Sequence, residues 1–110
     1  MDIKLKEVKG IEVVQLNGSI DINTSDALRN KLIKLIGEGR TKAVLDFKGV
    51  TYIDSSGLAT LIEMFQRFKK TNGSMVFVNM GDKINNLFEI TKIDMLFSVY
   101  NSQEDALNSF

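Results

Sequence analysis

The chain of 110 residues contains no histidine, no cysteine and no proline. Without histidine and cysteine, a Ser-His-Asp triad and a thiolate nucleophile are excluded, and zinc is disfavoured because its usual ligands are missing. The lack of cysteine also excludes disulfides and fits a cytoplasmic protein, which is the location we expect. Because proline is missing, glycine is left as the main residue that interrupts helices and strands.

The chain also lacks net charge, since 14 basic and 14 acidic residues cancel at pH 7. We therefore expect no direct binding to nucleic acid and no attraction to an anionic membrane. No apolar run is long enough for membrane insertion, and the N-terminus lacks the basic start and apolar block of a secretory signal. Hydrophobic residues make up 44% and charged residues 25%, as in a soluble globular protein, and we interpret residues 1–110 as one domain.

Hydrophobic periodicity predicts an opening hairpin followed by alternating helices and strands. The hairpin has strands at about 2–8 and 11–17, joined by a tight turn at Lys9-Gly10. The later predicted elements are a helix at 25–37, a strand at 43–47, a helix from Ser56 to Thr71, a strand at 75–78, a helix opened by Gly81-Asp82, a strand at 96–100 and a helix opened by Ser102. The β-α-β units imply parallel strands with right-handed crossovers. The sequence thus predicts an α/β fold: a mixed, mostly parallel sheet of about five strands with about four helices.

The segment Asp54-Ser55-Ser56-Gly57-Leu58 lies where a predicted strand passes into a predicted helix. A helix N-terminus carries unpaired N–H groups and a partial positive charge, so it can hold a phosphate. A serine at this place is a candidate phosphorylation site. Serine and aspartate are also favoured simply as N-caps, and Gly57 is explained equally well by close approach of a neighbouring loop. Taken alone, these residues favour a plain helix cap over a switch.

The whole chain, residues 1–110, resembles the anti-sigma factor antagonists of bacteria, which are stand-alone members of the STAS domain class. The segments that carry the resemblance are Asn17-Gly18-Ser19-Ile20-Asp21, Val44-Leu45-Asp46-Phe47, Tyr52-Ile53-Asp54-Ser55-Ser56-Gly57-Leu58, Gly73-Ser74-Met75-Val76-Phe77-Val78 and Asn86-Leu87-Phe88-Glu89-Ile90-Thr91-Lys92-Ile93. The ordered set at matching spacing is more specific than any single segment. The chain departs from the family at Ala59, where many members have a second glycine, and at Ser19, where several have an acidic residue.

The resemblance implies a STAS-like domain that acts by binding and is not an enzyme, with no cofactor and no metal. It implies that the domain binds an anti-sigma factor, which is also a serine kinase of the GHKL type, and thereby releases a sigma factor. Phosphorylation of Ser55 would switch this binding off, and a PP2C-type phosphatase would restore it. The partner-binding residues would be Asp21, Asp54, Ser55, Ser56 and Gly57.

Several alternatives stay open at this point. Ser56 could be the acceptor in place of Ser55, and Asp21 could equally serve to cap the first helix or its turn. A Ser-Lys dyad is disfavoured because the candidate lysines lie at the far end of the predicted helix. Asp21, Asp46 and Asp54 could bind Mg²⁺ in a phospho-aspartate receiver domain, but such domains begin with a parallel β-α unit. Within the family, a scaffold subunit of a stress-signalling complex or an accessory subunit of a membrane transport system would use the same fold.

Overall fold

The computed structural model describes residues 1–110. Its elements are β1 (Asp2–Val8), β2 (Ile11–Ile20), α1 (Ser25–Gly37), β3 (Lys42–Ile53), α2 (Ser55–Lys70), β4 (Ser74–Val78), α3 (Asp82–Ile90), a 3-10 turn (Ile93–Met95), β5 (Val99–Tyr100) and α4 (Gln103–Leu107). The five strands form one sheet in the order β1-β2-β3-β4-β5. Only β1 and β2 are antiparallel, and the other neighbours are parallel. The predicted α/β fold and order of elements are confirmed.

The hairpin between β1 and β2 turns through Lys9 and Gly10, as predicted. Both residues have left-handed backbone, with φ of 54° and 79°. A two-residue turn with two positive φ angles matches the right-handed twist of the strands that it joins. The turn sets Val8 opposite Ile11 and fixes the register of the whole β1–β2 pair.

β2 and β3 both run further than their apolar patterns predicted. β2 continues from the predicted end near Asn17 to Ile20, and β3 continues from Phe47 to Ile53. The two extensions pair with each other, and two irregularities of register let the ladder pass through Gly18, whose φ is 104°. Pairing between strands distant in sequence, and not side-chain pattern, extends the sheet here.

β5 is shorter than predicted, because only Val99 and Tyr100 pair with β4. The preceding residues 93–95 form the 3-10 turn. Phe97 is buried instead of continuing a strand, and its ring centroid lies 4.6 Å from that of Phe77. Aromatic packing therefore takes the place of sheet pairing at Phe97. Hydrogen bonding to β4 begins only at Ser98, whose carbonyl oxygen accepts from the N–H of Phe77 at 3.0 Å.

The sheet has a buried core on each face. The larger core lies beneath α1, α2 and α3 and includes clustered phenylalanine rings, with Phe47 and Phe77 centroids 5.5 Å apart. The smaller core lies on the opposite face, where Ala106 of α4 covers Val44 and Val76. The two cores hold the sheet rigid, so that the loops at the carboxyl ends of β2 and β3 are presented from a fixed support.

Candidate functional site at the start of helix α2

Asp54 directly follows β3 and caps α2. Its backbone is extended, with φ −107° and ψ −174°, and its carboxylate Oδ1 accepts a hydrogen bond of 3.0 Å from the N–H of Gly57. Its carbonyl oxygen accepts from the N–H of Leu58 at 3.0 Å. A carboxylate at this position satisfies an N–H group that the helix itself leaves unpaired. The N-cap role considered for this segment is therefore occupied by Asp54.

Ser55 is the first residue of α2, and its side chain is exposed to solvent. Because the cap uses the carboxylate of Asp54, it does not use the hydroxyl of Ser55. The backbone N–H groups of Ser55 and Ser56 also have no backbone partner. Ser56 differs from Ser55 in being half-buried. The start of α2 thus combines one exposed hydroxyl with two N–H donors that an added oxyanion could use.

Gly57 is buried where the first turn of α2 crosses the end of β2. A Cβ at this position would overlap the carbonyl oxygen of Ile20 and would lie 2.7 Å from Ile53 Cγ1. The close-approach explanation for this glycine is confirmed. The contact brings the loop after β2 directly beside Ser55.

Asp21 lies in that loop, and its polar atoms build the turn into α1. Its Oδ1 accepts from the N–H of Asn23 at 2.9 Å and from the hydroxyl of Thr24 at 3.2 Å. Its own N–H donates to Thr24 Oγ1 at 2.9 Å, and its carbonyl oxygen accepts from the N–H groups of Thr24 and Ser25. The turn role that the sequence allowed for Asp21 is confirmed.

Asp54 also joins the two loops. Its second oxygen, Oδ2, accepts a hydrogen bond of 3.1 Å from the N–H of Ile22. Its backbone N–H donates to the carbonyl oxygen of Ile20 at 3.2 Å. The residues predicted for the site therefore come together at one end of the sheet: Asp21, Asp54, Ser55, Ser56 and Gly57.

The sequence prediction missed three apolar side chains around this place. Ile22 is 73% exposed, Tyr52 50% and Ile90 78%. Tyr52 and Ile90 border a groove of about 410 Å³ between the end of β3 and α3. One signal was available in the sequence, because an isoleucine in the polar run Asp21-Ile22-Asn23 has no strand or helix pattern to bury it.

Asp46 does not join the site. It is buried on the α4 side of the sheet, where its Oδ1 accepts from Lys48 N–H and Asn79 Nδ2 and its Oδ2 accepts from Gln103 Nε2. Burial alone would raise the pKa of Asp46, but these hydrogen bonds outweigh it and the pKa is lowered. The Mg²⁺ site considered for Asp21, Asp46 and Asp54 is not assembled, because no three acidic side chains of the structure lie close enough together to hold a metal ion.

The lysine of a Ser-Lys dyad would have to come from the last turn of α2. Lys69 and Lys70 lie there, roughly 20 Å along the helix from Ser55 at 1.5 Å per residue. That separation is far beyond hydrogen-bond reach, so these lysines cannot activate Ser55.

The fold and this helix start define the class of protein. Residues 2–106 match the STAS domain family, and the chain belongs to that family. It is similar to the anti-sigma-B factor antagonist of Bacillus subtilis, with 28% identity over 107 residues that cover 97% of each chain. It also resembles the solved anti-sigma factor antagonist of Mycobacterium paratuberculosis, with 25% identity, a TM-score of 0.88 and cover of 98% and 92%. The phosphorylated form of the Bacillus cell fate determinant SpoIIAA has the same fold, with 18% identity, a TM-score of 0.76 and cover of 98% of each chain.

None of the helices combines the length and the hydropathy that crossing a bilayer requires.

Proposed function

We propose that residues 1–110 act as one cytoplasmic domain, an anti-sigma factor antagonist switched by phosphorylation of Ser55. The observation that carries the proposal is the exposed Ser55 hydroxyl at the start of α2, beside a cap made by Asp54 alone. The names of the relatives support the antagonist role. The same names favour this role over a scaffold in a stress-signalling complex or an accessory subunit of a transport system.

In the unmodified state, the surface around Ser55 would dock an anti-sigma factor that is also a GHKL-type serine kinase, and docking would release the sigma factor. The partner would meet a neutral hydroxyl flanked by Asp21 and Asp54. Both carboxylates are held in place by hydrogen bonds within the protein, to Asn23 and Gly57 among others. A rigid surface of this kind loses little conformational entropy on binding.

Phosphorylation would add roughly −1.5 to −2 charges at the centre of this surface. The unpaired N–H groups of Ser55 and Ser56 could hold the phosphate, so α2 need not unravel. A partner that fits the hydroxyl would then have to desolvate a phosphate next to the Asp54 carboxylate, and its affinity would fall. A PP2C-type phosphatase would remove the phosphate and restore binding.

We propose Ser55 over Ser56 as the acceptor, because Ser55 is an exposed residue and Ser56 is half-buried. A kinase must bring its phosphate donor in line with the acceptor hydroxyl, which requires access from solvent.

The test is incubation with the GHKL-type anti-sigma factor kinase of the same organism and ATP, followed by mass spectrometry. Wild type and Ser56→Ala should gain one phosphate, and Ser55→Ala should gain none. Phosphate on Ser55→Ala would move the assignment to Ser56.

A binding titration then tests the switch itself. The affinity of Ser55→Asp for the kinase should lie between that of wild type and that of the phosphorylated protein. The effect is only partial because one carboxylate carries less charge than a phosphate. Equal affinity of the phosphorylated and unmodified proteins would contradict the proposal.

A further inference from the structure

A groove lies between the end of β3 and α3, next to the segment that leads to Ser55. β3 pairs with β4 only as far as Asp46, opposite Val78, whereas its pairing with β2 continues to Ile53. Residues 47–53 of β3 therefore extend past β4, and α3 runs beside this extension without closing on it. The space between them has a volume of about 410 Å³.

The lining of the groove is mainly apolar. Tyr52 forms one wall, and Leu87 and Ile90 form the other. Tyr52 is 50% exposed and Ile90 is 78% exposed. Exposed large apolar side chains that border a concave surface are typical of a protein-docking site.

We propose that this groove is the second half of the docking surface for the anti-sigma factor. It would bind an apolar side chain of that protein, next to which the anti-sigma factor carries a carboxylate. The inference rests on the function proposed above and names the contact that would supply most of the apolar area of the complex.

Continuity with Ser55 supports this occupant. Tyr52 forms the groove wall and precedes Asp54 and Ser55 by only a few residues. A stable protein interface buries about 800 Å² on each partner and involves about 20–30 residues a side. The short loop that carries Asp21 and the first turn of α2, which carries Ser55, are too small to supply such an area. A protein that covers Ser55 must extend over a neighbouring surface, and the groove is the apolar one that adjoins it.

The charges also support this occupant. Lys83 is the one charged residue of the lining, and none of the ion pairs of the structure includes it. Its ammonium group is available to a carboxylate of the partner. A small polar metabolite fits less well, because such ligands need several converging polar groups to orient them. The part of the surface around Ser55 carries the carboxylates of Asp21 and Asp54, which would repel an acidic group of the partner. The partner would therefore place its acidic group over the groove, near Lys83, and not over the serine.

The experiment measures the affinity of the purified anti-sigma factor kinase for wild type and three variants: Tyr52→Ala, Ile90→Asp and Lys83→Glu. Ile90→Asp should weaken binding roughly tenfold or more, because it places a charge in the apolar contact. Lys83→Glu should weaken binding several-fold, and its effect should shrink at high salt because charges at an interface rim are screened.

Two control variants make the same kinds of change elsewhere: a charge in place of an exposed apolar side chain, and the reversal of a lysine charge. Met95→Asp alters a methionine that is 80% exposed and lies outside the groove. Lys31→Glu reverses a charge on the exposed side of α1. Both should bind within about twofold of wild type. Circular dichroism melts of all variants check that each one folds.

The outcomes separate the groove from the switch. If Ser55→Asp weakens binding and the three groove variants do not, the groove inference is wrong and the proposed function stands. If wild type does not bind the kinase at all, both are wrong. In a third outcome, wild type self-associates in sedimentation, Ile90→Asp does not, and the two bind the kinase equally well. The groove then joins copies of this chain, and the inference is again wrong.

Discussion

The carboxylate of Asp54 accepts a hydrogen bond from the backbone N–H of Ile22, 32 residues earlier in the chain, at 3.1 Å. The other oxygen of the same carboxylate caps α2 through the N–H of Gly57 at 3.0 Å. One side chain therefore holds the loop after β2 against the start of α2. This places the exposed Ile22 beside Ser55 and fixes the shape of the surface that we propose for partner binding.

Two replacements of Asp54 should distinguish the contributions of these two hydrogen bonds to stability. Asp54→Ala removes both and should lower the free energy of unfolding by about 1–3 kcal/mol. Asp54→Asn keeps one oxygen, which can still cap the helix, but it turns an NH₂ group toward the N–H of Ile22. An NH₂ group cannot accept that hydrogen bond, so only one of the two bonds is lost and the free energy of unfolding should fall less than in Asp54→Ala. Urea unfolding of both variants measures the difference. Equal stability of Asp54→Ala and wild type would show that the carboxylate does not hold the loop.

Gly57→Ala should destabilise the protein by about 1–3 kcal/mol, because the added Cβ overlaps the Ile20 carbonyl oxygen and the backbone must shift. The helix preference for alanine works in the opposite direction by up to about 1 kcal/mol. Gly37→Ala is the matched control, since nothing lies within 4 Å of its added Cβ. Thermal melts should show a loss for position 57 and no loss for position 37.

The stability of the protein should fall in acid partly through Asp46. Its pKa is lowered in the folded state despite burial, because Asn79, Lys48 N–H and Gln103 donate to the ionised carboxylate. The resulting stability is present above the unfolded pKa of about 3.9 and is lost as the pH falls through the lower folded pKa. Glu63 has a lowered pKa as well, so the comparison must be made between variants.

Gln103→Ala removes one of the donors and should bring the pKa of Asp46 back toward its ordinary value. Asp46→Asn should be less stable than wild type at pH 7 and should lose less stability on acidification. Urea unfolding between pH 7 and pH 3 measures both effects. An identical pH profile for Asp46→Asn and wild type would assign the acid sensitivity to other carboxylates.

The contribution of Arg40 to the stability of the fold should be largest at low salt. Glu7 and Glu12 lie opposite each other on β1 and β2, and Arg40 contacts the first at 2.8 Å and the second at 3.6 Å. Hydrogen bonding to Glu7 raises the pKa of Arg40, and a guanidinium is charged throughout the working pH range in any case. Arg40→Ala leaves two carboxylates facing each other, which is unfavourable.

The melting temperature of Arg40→Ala should therefore drop, and the drop should shrink as salt is added because exposed charges are screened. The double variant Arg40→Ala/Glu7→Gln should recover part of the loss, since it removes the repulsion. A salt-independent drop without recovery would point to lost packing of the arginine stem.

Much of the site could be predicted because it depends on neighbours in sequence. The apolar spacing from Leu58 onward and the polar residues Asp54 and Ser55 place a helix start there without reference to the rest of the chain. The start was predicted at Ser56 and lies at Ser55, a difference of one residue. The pairing of Asp54 with Ile22 could not be predicted, because no local pattern tells one backbone N–H from another.

Local sequence was enough to predict the hairpin at Lys9-Gly10, the order of strands and helices, and a helix start within one residue of Ser55. These features follow from side-chain periodicity and turn preferences, which act over a few residues. The length over which β2 and β3 pair, the burial of Phe97 and the groove beside α3 became visible only in the folded protein. Those features depend on contacts between segments far apart in the chain, whose free energy exists only once the sheet and helices have packed.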